Sequence, residues 1–143
     1  MRERGSALLL VPAAMLVVLG LAGVVLDASA AFLAERELAD AAAAAANDVA
    51  GAALDESGLR RDGTVQLDEA RACELARATL LATGNDLVTD ALARDPCPVH
   101  LGDDGLSVEV ELHAEARAIF GGGLPGLPDG YAVSARRRAV LVG

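Results

Sequence analysis

Residues 106–120 read LSVEVELHAEARAIF. Val108, Val110, Leu112, Ala114, Ala116, Ala118 and Phe120 alternate with Ser107, Glu109, Glu111, His113, Glu115, Arg117 and Ile119. Successive side chains of a strand point to opposite faces, so this pattern predicts one buried face and one wet face. Beyond it comes GGGLPGLPDG, a Gly/Pro loop, and then a second strand over 131–142. Arg136 and Arg138 share a face of that second strand and can meet the Glu face of the first as cross-strand pairs. Arg137 points the other way, where only nearness to the sheet edge accounts for a charge. On the N-terminal side, Asp103-Asp104-Gly105 is turn chemistry that joins 106–120 to a short strand at 98–101. The three strands predict an antiparallel meander.

Upstream the period changes from two to about 3.6. A helix is predicted over 68–83, with Asp68 as N-cap, Glu69 in the first turn and Gly84 at the C-terminal glycine position. Ala72, Leu75, Ala76, Thr79 and Leu80 form its inner face. Residues 87–94 are ambiguous and compatible with a short strand. Asp55-Glu56-Ser57-Gly58 and Arg61-Asp62-Gly63 read as loop and turn. Helices that cover one face of an antiparallel sheet give an α+β domain over 55–143.

Residues 28–54 read ASAAFLAERELADAAAAAANDVAGAAL, with no helix breaker before Gly51 and an abundance of the best helix former. Ala31, Ala34, Leu38, Ala41, Ala45, Val49 and Ala52 recur at spacings of three and four, and Glu35, Arg36, Glu37, Asp40 and Asp48 lie off that stripe. Arg36 and Asp40 are spaced for an i,i+4 pair. Small side chains let another element approach the helix backbone closely. That element is either a partner subunit or this chain's own sheet.

Before this stalk, residues 7–26 read ALLLVPAAMLVVLGLAGVVL, a run of 20 residues without a charge. As a helix it spans roughly 30 Å, the thickness of a bilayer's hydrocarbon core. Pro12 inside it is tolerated more readily in a membrane helix than in a soluble one. Arg2 and Arg4 precede the run and Asp27 follows it, so the positive-inside rule places the 1–6 lead in the cytoplasm and everything after the span outside. Span and stalk together predict one helix of about 70 Å. The competing reading takes Ala28-Ser29-Ala30 as a signal-peptidase site that releases a soluble, secreted binding protein. The apolar run is longer than the ~7–15 residues of a signal core, which favours the anchor.

The totals agree with a small membrane-anchored protein. The 143 residues suffice for one domain, and 53% are hydrophobic, although aromatics make up only 2% and Trp is absent. The apolar content is therefore mostly lipid-facing residues and small core residues. All 12 basic residues are Arg, against 21 acidic ones. Residues 1–27 sum to zero, so the net charge of −9 belongs to residues 28–143. An acidic exported part argues against nucleic acid as a partner. Cys73 and Cys97, the only cysteines, both fall outside the membrane, where thiols oxidise, and are expected to bond to each other.

No residue set predicts catalysis, a cofactor, a metal or a small-molecule substrate. His100 and His113 fall on different strands without ligand spacing. Ser29, Ser57, Ser107 and Ser134 lack a nucleophile context. Asp55-Glu56, Asp62, Asp68-Glu69 and Asp103-Asp104 do not fit a calcium loop and read as solvated turn carboxylates. GGGLPG lacks the Lys-Ser/Thr of a phosphate loop.

In order of elements the chain resembles the TadE/TadG type of Flp pilus-assembly proteins. RGSALLLVPAAMLVVLGLAGVVLD followed by FLAERELADAAAAAAND is similar to a TadG-like N-terminus, through Gly5, Asp27, Leu33, Arg36, Leu38 and Ala39-Asp40-Ala41-Ala42. VEVELHAEARAIFGGGLPGLPDGYAVSARRRAVLV is similar to the terminal hairpin of TadE-like proteins. Prepilin signals carry Glu five residues after the processing glycine, whereas Leu10 stands there in this chain. The resemblance thus implies an uncleaved anchor in the cell membrane. It also implies a structural role in a pilus or related secretion apparatus, with membrane lipid and other pilus-assembly or pilin-like subunits as partners.

Overall fold

The computed structural model describes residues 6–120 and 129–141. The 121–128 part of the Gly/Pro loop and the lead with Arg2, Arg4 and Gly5 lie outside the described residues. The fold is α+β. Helix α1 (Ser6–Ala52) is followed by α2 (Glu56–Asp62), α3 (Glu69–Ala82), α4 (Asp86–Arg94), β1 (Val99–Leu101), β2 (Ser107–Arg117) and β3 (Gly130–Val140). The strands form one antiparallel sheet in the order β1-β2-β3. Val99 faces Val110, and Leu112 and Ala114 face Ala135 and Val133.

Span and stalk form one unbroken 47-residue helix that runs through Pro12. The helix ends at Ala52, two residues before the expected end. There the chain turns back, with Asp68 N–H donating to the Ala53 carbonyl at 2.8 Å and Asp55 N–H to that of Gln66 at 2.8 Å.

α3 begins where its cap predicts. The Asp68 carboxylate accepts from Arg71 N–H at 2.9 Å, and Gly84, at φ +63°, takes the left-handed conformation that lets the chain leave the helix. Ala72, Ala76 and Leu80 are buried, while Leu75 and Thr79 are half-buried.

Two segments differ from the sequence expectation. Residues 56–62 are a short helix rather than a pair of turns, because Asp55 Oδ1 accepts from Gly58 N–H at 3.0 Å and so serves as an N-cap. Residues 86–94, ambiguous in sequence and compatible there with a short strand, are a helix. Asn85 Oδ1 caps it by accepting from Leu87 N–H at 2.8 Å, and Val88, Ala91 and Leu92 share its buried side at helical spacing.

β2 keeps the predicted phase. Val108, Val110, Leu112, Ala114 and Ala116 are buried, but the strand stops at Arg117, leaving Ala118 half-buried and Phe120 exposed. Ser107, assigned to the wet face, is buried under the β1–β2 turn. One core joins the inner face of the sheet to α1, α3 and α4.

β2 runs antiparallel to the C-terminal half of α1. Helical rise carries residues 27–53 over about 39 Å. Strand rise carries residues 107–118 over about 36 Å. This match in length lets a single strand line the helix from the chain reversal at Ala53 back to Asp27.

Candidate functional site

α1 changes character at Asp27. Leu10, Met15, Leu16, Leu19, Leu21 and Val25 are all exposed, and this stretch makes α1 the one described helix long and apolar enough to cross a membrane. Asp27 itself is only 3% exposed. Its Oδ1 accepts from the backbone N–H groups of Ile119 at 2.7 Å and Phe120 at 3.0 Å. These amides follow the last β2 residue, so the helix carboxylate takes over where the sheet ladder runs out. The ladder itself closes with Ala118 N–H donating to the Asp129 carbonyl at 3.0 Å. Sequence reasoning found Asp27 as the charge that ends the span. It did not find the Ile119 and Phe120 amides, which lie more than 90 residues away and are backbone groups.

Beyond Asp27 the alanine stripe is largely enclosed. Ala34, Leu38, Ala41, Ala45 and Val49 are buried, as are Ala39, Ala42, Ala46 and Ala50. The cover comes from β2, β3 and α3 of the same chain. Over these turns the stripe is an internal packing face, and the methyl side chains let the sheet sit directly on the helix. At its ends Ala31 is half-buried and Ala52 is exposed. Ala52 is the last helical residue, and burial passes to Ala53 as the chain reverses. Off the stripe, Asp48 accepts from the Thr79 hydroxyl at 2.9 Å and Glu37 from the Asn85 amide at 3.0 Å, which ties α1 to α3 and to the cap of α4.

The outer face of the sheet is charged and laddered. Arg136 lies opposite Glu111 and reaches it at 2.7 Å, with Glu109 at 3.3 Å. The hydrogen bond from Arg136 holds the Glu111 carboxyl below its usual range, and the same bond raises Arg136. Arg138 donates to the Ser107 hydroxyl at 2.8 Å and lies 3.7 Å from Asp104. Asp104 closes the β1–β2 turn by accepting from Leu106 N–H, Ser107 N–H and the Ser107 hydroxyl, and these bonds lower its pKa. Arg137 shares the inner-face register with Val110 but sits on an edge strand. There it lines an open surface groove with Phe32, Glu35, Arg36 and Asp40 of α1, where the Glu35 and Asp40 carboxylates accompany a cation on the inner register.

Cys73 in α3 and Cys97 just before β1 form a disulfide with a Cα–Cα distance of 5.4 Å. The bond staples helix to sheet. His100 and His113 both face outward, on β1 and β2. His100 is paired with Glu109, four residues from His113, which puts them roughly 13 Å apart along the strand direction. His113 Nε2 lies 3.2 Å from Glu111. Ser29 donates to the Val25 carbonyl, one turn back on α1, at 2.8 Å. Ser107 is engaged in the turn, and Ser134 is exposed on β3. Ser57 lies in α2. Among the described residues no group of His, Cys, Asp and Glu side chains converges as a metal site would require.

No family model, curated protein or solved structure matches the chain.

Proposed function

We propose that the chain is a single-pass, membrane-anchored structural component of a Flp (Tad)-type pilus or related secretion apparatus. Its N-terminus is cytoplasmic, its α+β domain is extracytoplasmic, and it acts through helix packing and protein–protein contacts rather than catalysis. The observation that carries this reading is α1 itself. One continuous helix presents an exposed apolar surface over its first half and becomes the central core element of the domain over its second. A domain built around its own anchor transmits position and force from the membrane without a hinge. The order of elements, with its resemblance to TadE/TadG-type proteins, supplies the pilus assignment.

The test is topology followed by capture. The full chain should stay in alkaline-washed membranes, and protease added from outside should remove the domain but not the span. Crosslinking in cells should then recover pilin-like or pilus-assembly subunits. Release of the chain by alkaline washing would overturn the anchor, and a failure to recover such subunits would overturn the pilus assignment. Cleavage after Ala30 would cut α1 within its helical run and separate Asp27 from Ile119 and Phe120, so the geometry favours the anchored reading. A mature N-terminus at Ala31 would establish the secreted alternative instead.

A further inference from the structure

The chain contains three aromatic residues, Phe32, Phe120 and Tyr131. They come from α1, from the segment after β2 and from β3, and none of them lies in the main core cluster. All three gather at the membrane-facing end of the domain. A Cβ placed on Gly23 would lie 3.6 Å from both Cβ and Cγ of Phe120, so that side chain rests on a helix residue inside the apolar run. Tyr131 and Phe32 line one groove with Val24, Ala28 and Ala31. Phe32 is 65% exposed, Phe120 49% and the adjoining Ile119 65%; Leu59, Val65, Leu81 and Val140 are also exposed on the domain, but the Phe32–Phe120 group is the one that adjoins the exposed apolar run of α1.

The heights along α1 can be compared with a bilayer. Gly23 lies one turn before Asp27, about 6 Å toward the lipid, and Phe32 lies five residues after it, about 7.5 Å away from the lipid. Together these positions span about 13–14 Å along the helix, so they straddle the interfacial layer between hydrocarbon and water, which is roughly 5–8 Å thick per leaflet. Aromatic side chains concentrate in this layer because it accepts an apolar ring beside polar groups. Asp27 fixes the depth by holding the Ile119 and Phe120 amides against the helix.

We propose that Phe32, Ile119, Phe120 and Tyr131 form an interfacial belt seated in the outer leaflet, so that the domain rests on the bilayer instead of standing above it. The occupant of this surface is phospholipid, because the patch is continuous with the exposed apolar face of α1. The inference rests on the anchored reading above. Its consequence is that the tilt of the domain is held by two attachments, the span and the belt.

The chain has no Trp, so its single Tyr is an intrinsic reporter and an introduced Trp is an unambiguous one. The experiment uses the full chain in phosphatidylcholine vesicles, with and without bromines on the upper part of the acyl chains. Four single variants are compared, F120W, F32W, L16W in the span and V65W at the far end of the domain. The belt predicts at least about twofold bromine quenching for F120W and for F32W, together with quenching of the native Tyr131 signal in unmodified protein. L16W should be quenched strongly and V65W should be unaffected. Quenching of F120W, F32W and Tyr131 no greater than that of V65W, while L16W is quenched, would overturn the belt and leave the anchor standing. Blue-shifted F120W emission without bromine quenching would also overturn it, since the cover would then be protein. An unquenched L16W would remove the anchor and the belt with it.

Discussion

Asp27 and Ile119 lie 2.7 Å apart, carboxylate oxygen to backbone nitrogen, although 92 positions separate them in the chain. The bond locks the C-terminal end of the membrane-length run to the segment that follows strand β2. A hydrogen bond to an ionised acceptor contributes about 1.5–3 kcal/mol, and its loss leaves strand-end amides without their carboxylate. Asp27→Ala should therefore destabilise the domain by about 2 kcal/mol, and Asp27→Asn, which keeps one acceptor oxygen, by less. Denaturation in detergent would give the ranking, and hydrogen exchange would show faster exchange at the 119 and 120 amides. Unchanged exchange at both positions in Asp27→Ala would rule out the lock.

Val110 and Glu109 are neighbours on opposite faces of β2. Val110 is fully buried, whereas Glu109 is partly exposed and 3.3 Å from Arg136. Val110→Asp buries a charge without a partner and should cost more than about 3 kcal/mol, enough to unfold a small domain. Glu109→Lys loses one member of an exposed pair and should cost about 1 kcal/mol or less. Thermal melts of the two variants would separate them by many degrees. Equal losses would mean that the two faces had been assigned wrongly.

The Cys73–Cys97 bond closes a loop across a sequence separation of 24. In the chain-entropy account such a closure contributes on the order of 3 kcal/mol, a large share for a domain whose core is mainly Ala, Val and Leu. Unreduced protein should resist alkylation at both positions. The Cys73→Ala, Cys97→Ala double variant should lose that stability while keeping its circular dichroism spectrum at low temperature. Full alkylation without reduction would disprove the pairing.

Acid should weaken the outer face of the sheet. Glu111 and Asp104 both have folded-state pKa values lowered from reference values of 4.5 and 3.8. The stability they add is therefore fully present above those values and is lost as pH falls below them, through the lower folded-state range. Denaturation midpoints should be flat between neutrality and about pH 5 for these groups and should fall below that. Arg136→Gln removes the leading cause of the Glu111 shift, so the acid limb of the variant should be shallower. An acid limb identical to that of the parent would show that Arg136 does not set it.

Much of this architecture is local physics written along the chain. An uncharged run of membrane length, a cap at Asp68, a glycine at 84 and a strict alternation from Val108 to Ala116 each specify their element through neighbouring residues alone. Cys73 and Cys97 could be paired because the sequence offers no other internal choice. Short capped segments were harder to read. The helices at 56–62 and 86–94 hold too few residues for a period to stand out, and their caps, Asp55 and Asn85, resemble ordinary turn residues. Other features depended entirely on which elements meet. The alanine stripe could serve a partner or the chain's own sheet until a strand of matching length was seen lying on it. Asp27 is a boundary charge in sequence and a strand anchor in space, because the Ile119 and Phe120 groups it holds are backbone amides, which carry no sequence signature. The grouping of Phe32, Phe120 and Tyr131 at one end of the domain is likewise a product of tertiary structure, since only the antiparallel run of β2 along α1 returns residue 120 to the level of residue 23.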